Sequence, residues 1–165
     1  MNIFNKLTAK IPGVKQEYFV FSPVSGDIVT LSEIRDGVFS EEILGKGCGI
    51  IPSDGIVTAP FAGEIVQIAE TKHAIGIQSK EGIELLIHIG VDTVTMNGIG
   101  FNINVKTGDK VKCGQKLMTF SIEEIEKAGF RSITAVIVTN SGDYKSVELL
   151  KTGKIENTEK IMFIS

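Results

Sequence analysis

The sequence predicts an all-β fold, an antiparallel β-sandwich built from two intertwined, hammerhead-like halves with one short helix near residues 121–128. Three observations carry that expectation. Eighteen glycines punctuate the 165 residues, leaving short runs rich in Ile, Val, Phe and Thr, a composition suited to strands. Only one stretch shows helix signals. Two segments of the chain also repeat one another closely enough to suggest duplication.

The first 17 residues differ from the rest. Ile3, Phe4, Leu7 and Ile11 recur at helical spacing around Lys6 and Lys10, and Pro12-Gly13 ends the pattern. Residues 1–17 are therefore expected to form a flexible or amphipathic segment. Residues 2–11 are suited to peripheral contact with an anionic membrane surface. One domain is expected over 18–165. Its strands are expected at Gly26–Leu31, Gly63–Ala69, Ala74–Ser79, Ile83–Gly90, Val111–Phe120, Ile133–Thr139 and Lys145–Leu150. The helix is expected at Ser121–Ala128, where Ser121 and Glu124 make a capping box and Gly129 sits at the C-terminal end.

The repeat pairs Ser22-Pro23-Val24-Ser25-Gly26-Asp27-Ile28-Val29 with Ala59-Pro60-Phe61-Ala62-Gly63-Glu64-Ile65-Val66. Each copy is a Pro-led turn, a glycine, an acidic residue and then a β-branched run. A second echo pairs Thr107-Gly108-Asp109-Lys110-Val111 with Thr152-Gly153-Lys154-Ile155.

Composition narrows the function classes. The net charge of −3, the scattered lysines and arginines and the absence of Trp give no basis for nucleic-acid binding. No apolar run approaches the ~20 residues of a membrane span, and no leader pattern opens the chain. A cytoplasmic protein is expected, with Cys48 and Cys113 as buried, reduced thiols. No long self-complementary apolar face is evident, so a monomer is expected.

The chain has two histidines, His73 and His88. Ser79-Lys80-Glu81-Gly82 between them reads as a hairpin turn. A two- or four-residue loop makes paired positions sum to 161, setting His73 directly opposite His88 on one face of the sheet. Cβ atoms of such a pair lie about 4.5–5.5 Å apart. The same register puts Ile75, Ile77, Glu84 and Leu86 on the histidine face and Ala74, Gly76, Leu85 and Ile87 on the other. Two facing imidazoles suit phosphoryl transfer, one as nucleophile and the other as donor to the oxygens. Backbone N–H groups near Gly90 are candidate further donors. The pair also suits zinc.

Glu70-Thr71-Lys72-His73-Ala74, followed by Gly82-Ile83-Glu84-Leu85-Leu86-Ile87-His88-Ile89-Gly90-Val91-Asp92-Thr93-Val94, resembles the signature of glucose-type enzyme IIA of the bacterial phosphoenolpyruvate-dependent sugar phosphotransferase system. The blocks Ser22–Gly26, Val38–Glu41, Gly45–Gly47, Ala59-Pro60 and Gly108–Val111 extend the resemblance from about Phe19 across nearly the whole chain. It implies a phosphocarrier role. His88 would accept phosphate from the small carrier protein HPr and pass it to a cysteine on the IIB domain of a sugar permease. His73 would steady the phosphoryl group, and the Thr71 hydroxyl would orient His73. Asp36 and Asp92 would meet basic groups on partners, while Val38, Phe39, Leu44, Leu86 and Val94 would form a docking rim. Regulatory protein targets are also within the family's range. No cofactor is required, although zinc at His73 and His88 is a further expectation. Ala69 and Leu86 stand where some relatives carry aromatics, giving a smoother rim.

Two rivals remain on the residues alone. A zinc-dependent hydrolase on a related hybrid β fold would need a third ligand, such as Asp92. A lipoyl- or biotin-type carrier would need an acceptor-lysine motif that Lys80-Glu81-Gly82 does not supply.

Overall fold

The computed structural model describes residues 16–165; the membrane-contact expectation for residues 2–11 lies outside them. The strands are β1 (Tyr18–Phe21), β2 (Gly26–Thr30), β3 (Lys46–Pro52), β4 (Ile56–Thr58), β5 (Gly63–Ile68), β6 (Ala74–Ser79) and β7 (Glu84–Ile89). There follow β8 (Phe101–Ile103), β9 (Lys110–Val111), β10 (Lys116–Phe120), β11 (Thr134–Val138), β12 (Val147–Leu149), β13 (Gly153–Ile155) and β14 (Lys160–Ile164). The helix α1 spans Ile122–Lys127. Ser121 caps it by accepting the Glu124 N–H at 3.1 Å, and Gly129 takes a φ of 87° just past its end.

An eight-stranded antiparallel sheet runs β13-β2-β3-β11-β7-β6-β5-β9, and two three-stranded sheets run β1-β14-β12 and β4-β10-β8. The duplication read from sequence is the organising symmetry of this arrangement. Reading inward from either edge of the large sheet, β13, β2, β3 and β11 answer to β9, β5, β6 and β7. The echoed residues take equivalent pairings: Ile155 lies opposite Gly26 and Lys154 opposite Asp27, as Val111 lies opposite Gly63 and Lys110 opposite Glu64. Both echoed glycines are required by close packing. A Cβ on Gly26 would sit 2.0 Å from the Ile51 carbonyl oxygen, and one on Gly63 would sit 2.2 Å from that of Gln78. The Pro-led turns are tied down alike: Ser22 N–H donates to Glu159 O at 2.7 Å and Ala59 N–H to Gln115 O at 2.8 Å.

The main core lies between the large sheet and the two small ones. Ile28, Ile50, Ile65, Ile75, Ile77, Leu85, Ile87, Ile89 and Val136 pack there with Val57, Leu117, Met118, Met162 and Ile164. A smaller cluster covers the opposite face of the large sheet. In it Ile133, Ala135 and Ile137 meet Leu31, Ile34 and Phe39 from the segment between β2 and β3. Every residue of β11 is consequently buried, which explains its unbroken apolar sequence.

Three expectations need correction. The run Val111–Phe120 is two strands, because a turn with Gly114 at φ 83° and Gln115 N–H donating to Lys112 O interrupts it. Cys113 is exposed, whereas Cys48 is buried as expected, with burial pushing its thiol up to about 12. The β6–β7 register, treated next, is the third.

Candidate functional site

In the β6–β7 hairpin, Ala74 lies opposite His88 and Ile75 opposite Ile87, so paired positions sum to 162 rather than 161. The turn is an odd loop of three residues, Lys80-Glu81-Gly82, between Ser79 and Ile83. Ser79 N–H donates to Ile83 O at 2.9 Å, the Ser79 hydroxyl accepts Ile83 N–H at 3.0 Å, and Gly82 adopts a φ of 98°. A one-residue change of register moves one strand's side chains to the other face. Ile75 and Ile77 therefore enter the main core, while β7 keeps Leu86 and His88 on the histidine face. The expected ring of β6 aliphatics does not form there.

The two imidazoles nevertheless meet. His73 lies just before β6, where its carbonyl accepts Ile89 N–H at 2.8 Å. Strict alternation would aim its side chain away from His88. It escapes that rule because it follows a turn: Lys72 N–H donates to Ala69 O at 2.8 Å, and Lys72 adopts a left-handed φ of 63°. The His73 and His88 rings approach to 4.8 Å between centroids, edge to face at 79°.

The outer nitrogen of each ring is oriented by a hydrogen bond at the other. His88 Nδ1 lies 2.9 Å from Gly90 O. A carbonyl only accepts, so Nδ1 carries the proton and Nε2 keeps its lone pair. Gly90 is irreplaceable in this role. Its φ is 77°, and a Cβ there would sit 2.4 Å from Thr93 Cγ2 and 2.9 Å from Arg131 O. Thr93 is fully buried, with its hydroxyl donating to Ile89 O. On the other ring, Thr71 Oγ1 lies 2.8 Å from His73 Nδ1.

Electrostatics disfavour the charged form of both rings. Burial pushes His88 down to about 4, with the His73 charge adding to the effect; the Gly90 hydrogen bond and Asp36 oppose it. Burial also lowers His73, against a hydrogen bond to the Thr71 backbone that favours the charged ring. Because the folded-state value for His88 lies below the ordinary imidazole value, the unfolded chain takes up the proton first. Stability should be level above about pH 6.5 and fall as pH drops toward 4. At pH 5 the loss from this one group is expected on the order of 1–2 kcal/mol. Urea midpoints for the parent and His88→Ala at pH 7.5 and 5 check this: the variant should lose distinctly less stability between those pH values.

An open depression of roughly 670 Å³ surrounds the pair, lined by residues including Arg35, Asp36, Val38, Phe39, Asp92, Val94, Phe130 and Arg131. Asp36 is chiefly a loop organiser. Its carboxylate accepts N–H groups from Val38 and Phe39 at 3.2 Å and from Ser40 at 3.0 Å. Burial alone would raise its pKa, but the Ser40, Phe39 and Val38 N–H groups and the Ser40 hydroxyl hold it below the usual value. That loop delivers Phe39, which is 7% exposed, so that its ring centre lies 4.8 Å from that of His88. Phe39 is thus a packing support rather than an exposed rim residue. Val38 and Val94 are exposed at the depression. Leu44 is exposed but does not line it, and half-buried Leu86 packs into the small cluster beneath. Exposed Asp92 is at the margin.

The expected backbone donors near Gly90 are already engaged. Gly90 N–H donates to Ile133 O at 3.0 Å and Val91 N–H to Arg131 O at 3.1 Å. Arg35, Phe130 and Arg131 were missed by sequence reasoning; isolated between Phe130 and Ser132, Arg131 offers no motif. Among the described residues, no third His, Cys, Asp or Glu joins the two histidines in a metal-binding group, which leaves the zinc-hydrolase alternative unsupported. No helix among the described residues is long and apolar enough to cross a membrane.

Comparison with known proteins adds family evidence to this geometry. The model of the family described as phosphoenolpyruvate-dependent sugar phosphotransferase system, EIIA 1, matches residues 18–144. The chain is 46% identical over 125 residues to a glucose-specific EIIA component from Halalkalibacterium halodurans, covering 76% of this chain and 72% of the relative. It is 44% identical over 146 residues to the beta-glucoside-specific EIIBCA component of Bacillus subtilis, covering 88% of this chain and 24% of that longer protein. The chain thus spans about a quarter of that multidomain relative. Among solved structures, glucose permease IIA from Mycoplasma capricolum superposes with a TM-score of 0.85 at 37% identity, covering 90% of this chain and 96% of the other.

Proposed function

For a chain that belongs to the glucose-type EIIA family of the phosphoenolpyruvate-dependent sugar phosphotransferase system, we propose that Nε2 of His88 carries the phosphoryl group between HPr and the IIB domain of a sugar permease. The observation behind this reading is the Gly90 carbonyl on His88 Nδ1, which leaves an unprotonated, neutral Nε2 beside a second imidazole. In the first step the Nε2 lone pair forms an N–P bond as the donor's bond to phosphorus breaks, and the donor keeps that electron pair. In the second step the IIB cysteine thiolate forms an S–P bond, and the N–P electron pair returns to Nε2.

His73 supplies a donor to a phosphoryl oxygen. We assign the His73 proton to Nε2, facing the shared site, with the Thr71 hydroxyl 2.8 Å from Nδ1 as the donor to that nitrogen. The open depression suits the relay, because each partner must bring its reacting atom into line with the phosphorus. Val38 and Val94 at the margin give a docking partner apolar surface. Fusion of EIIA-type sequence with B and C components in the EIIBCA relative supports IIB as the acceptor side. The role belongs to the cytoplasm, where phosphoenolpyruvate is made.

Zinc bridged by His73 and His88 would require ligands from elsewhere, such as a partner carboxylate and water. The test of the relay is incubation with phosphoenolpyruvate, enzyme I and HPr, followed by peptide mapping under non-acidic conditions. A labile phosphate on His88 is expected. Label on another residue, or none on folded protein, would overturn the reading.

A further inference from the structure

Arg131 reaches across from the segment before β11 and donates through Nη2 to the carbonyl of Ile34. Ile34 is followed directly by Arg35, which takes a left-handed φ of 54°. Both arginines line the depression that holds His73 and His88. Neither forms an ion pair among the described residues, where the salt bridges are Lys127–Glu123 and Lys151–Glu159. Asp36, next in sequence, has both carboxylate oxygens committed to backbone N–H groups.

Two guanidinium groups lining one depression raise its positive potential and favour an anion there. A phosphoryl group on His88 is such an anion, and the Gly90 and Val91 N–H groups, already engaged, do not serve it. His73 serves one oxygen. The Ile34 contact occupies one of the five N–H groups of Arg131 and leaves the others free, and a guanidinium fork fits two phosphate oxygens at once.

We propose that Arg131, with Arg35 beside it, binds the phosphoryl group on His88 and sets how strongly this chain holds phosphate against its partners. The proposal rests on the relay reading above. It adds two phosphoryl-binding residues that lie outside the histidine motif, and it makes the phosphorylated form more stable than the two histidines alone would.

The experiment measures the phosphoryl-exchange equilibrium between HPr and the full chain for the parent, Arg131→Ala, Arg131→Lys and Arg35→Ala. Thermal unfolding and histidine ring signals serve as controls for folding. Arg131→Ala is expected to shift the equilibrium about tenfold toward phospho-HPr, a loss consistent with removing charge-assisted hydrogen bonds. Arg35→Ala should shift it about threefold, and Arg131→Lys should restore part of the Arg131→Ala loss, keeping the charge but not the two-oxygen fork. A purely structural role would give no rescue by lysine. If Arg131→Ala fails to fold, Arg35→Ala and the salt dependence of the parent equilibrium decide; an equilibrium unmoved by both would overturn the proposal. A phosphorylated parent with Arg131→Ala within twofold of it would overturn the arginine role alone. A parent that takes no phosphate on His88 would overturn the relay reading and this inference together.

Discussion

His88→Ala is expected to take up no phosphoryl label, a loss exceeding about a thousandfold, because it removes the atom that bonds to phosphorus in the proposed relay. The same variant should fold. The His88 side chain is half-buried, on the face of β7 covered by the small cluster rather than in the main core, and it packs against the Phe39 and His73 rings, each at 4.8 Å between ring centres. Its truncation is expected to cost about 1–2 kcal/mol. The variant should thus give a near-native circular dichroism spectrum and a lowered but cooperative melt, with no acid-labile phosphate after incubation with the full donor system. Labelling of folded His88→Ala would move the nucleophile elsewhere, and His73 would be the first candidate.

His73→Ala should separate acceptance from delivery. In the proposed relay His73 provides a donor to a phosphoryl oxygen, and loss of one such donor commonly slows chemistry about 10²–10³-fold. The loss applies to both directions of transfer at His88. Acceptance read at completion hides a slow step, because donor is continuously regenerated. Onward transfer to IIB is read as a rate and exposes it. The variant is therefore expected to label on His88 while sugar phosphorylation falls about a hundredfold. Loss of the His73 charge also removes one of the influences that lower His88, so acid should impair the variant at a slightly higher pH than the parent. Single-turnover transfer from the purified phosphoprotein measures the effect. A delivery rate equal to the parent's would remove His73 from the mechanism.

Much of the fold was legible because duplication leaves marks that survive in one sequence. Gly26 and Gly63 recur because each must let the neighbouring strand's carbonyl approach within 2.2 Å of where a Cβ would be. The lysines and β-branched residues of the second echo recur because they close equivalent edges of the large sheet. Strand β3 was illegible for a related reason. Its Gly47 and Gly49 break up the apolar pattern, yet Gly47 is demanded by the approach of the Val136 carbonyl and Gly49 sits tightly against Val29 and Ile34.

The site was legible as a pair of histidines but not as a geometry. Hairpin register depends on which of several similar turns Ser79–Ile83 adopts, and the choice turns on the Ser79 side chain accepting Ile83 N–H. An even loop would have made the histidines direct partners. In the folded chain a left-handed Lys72 brings His73 around to His88 instead. Arg131 had no local signal at all, since its meaning comes from a contact with Ile34, 97 positions away.

The central claim is that the Gly90 carbonyl fixes the His88 tautomer and so exposes Nε2 as the phosphoryl acceptor. Long-range ¹H–¹⁵N correlation of the two histidine rings at pH 7, before and after phosphorylation, tests it most directly. The expected result is a neutral His88 with its proton on Nδ1, and phosphorus bonded to Nε2 after transfer. A proton on His88 Nε2 in the free protein, or phosphorus on Nδ1 or on His73, would contradict it.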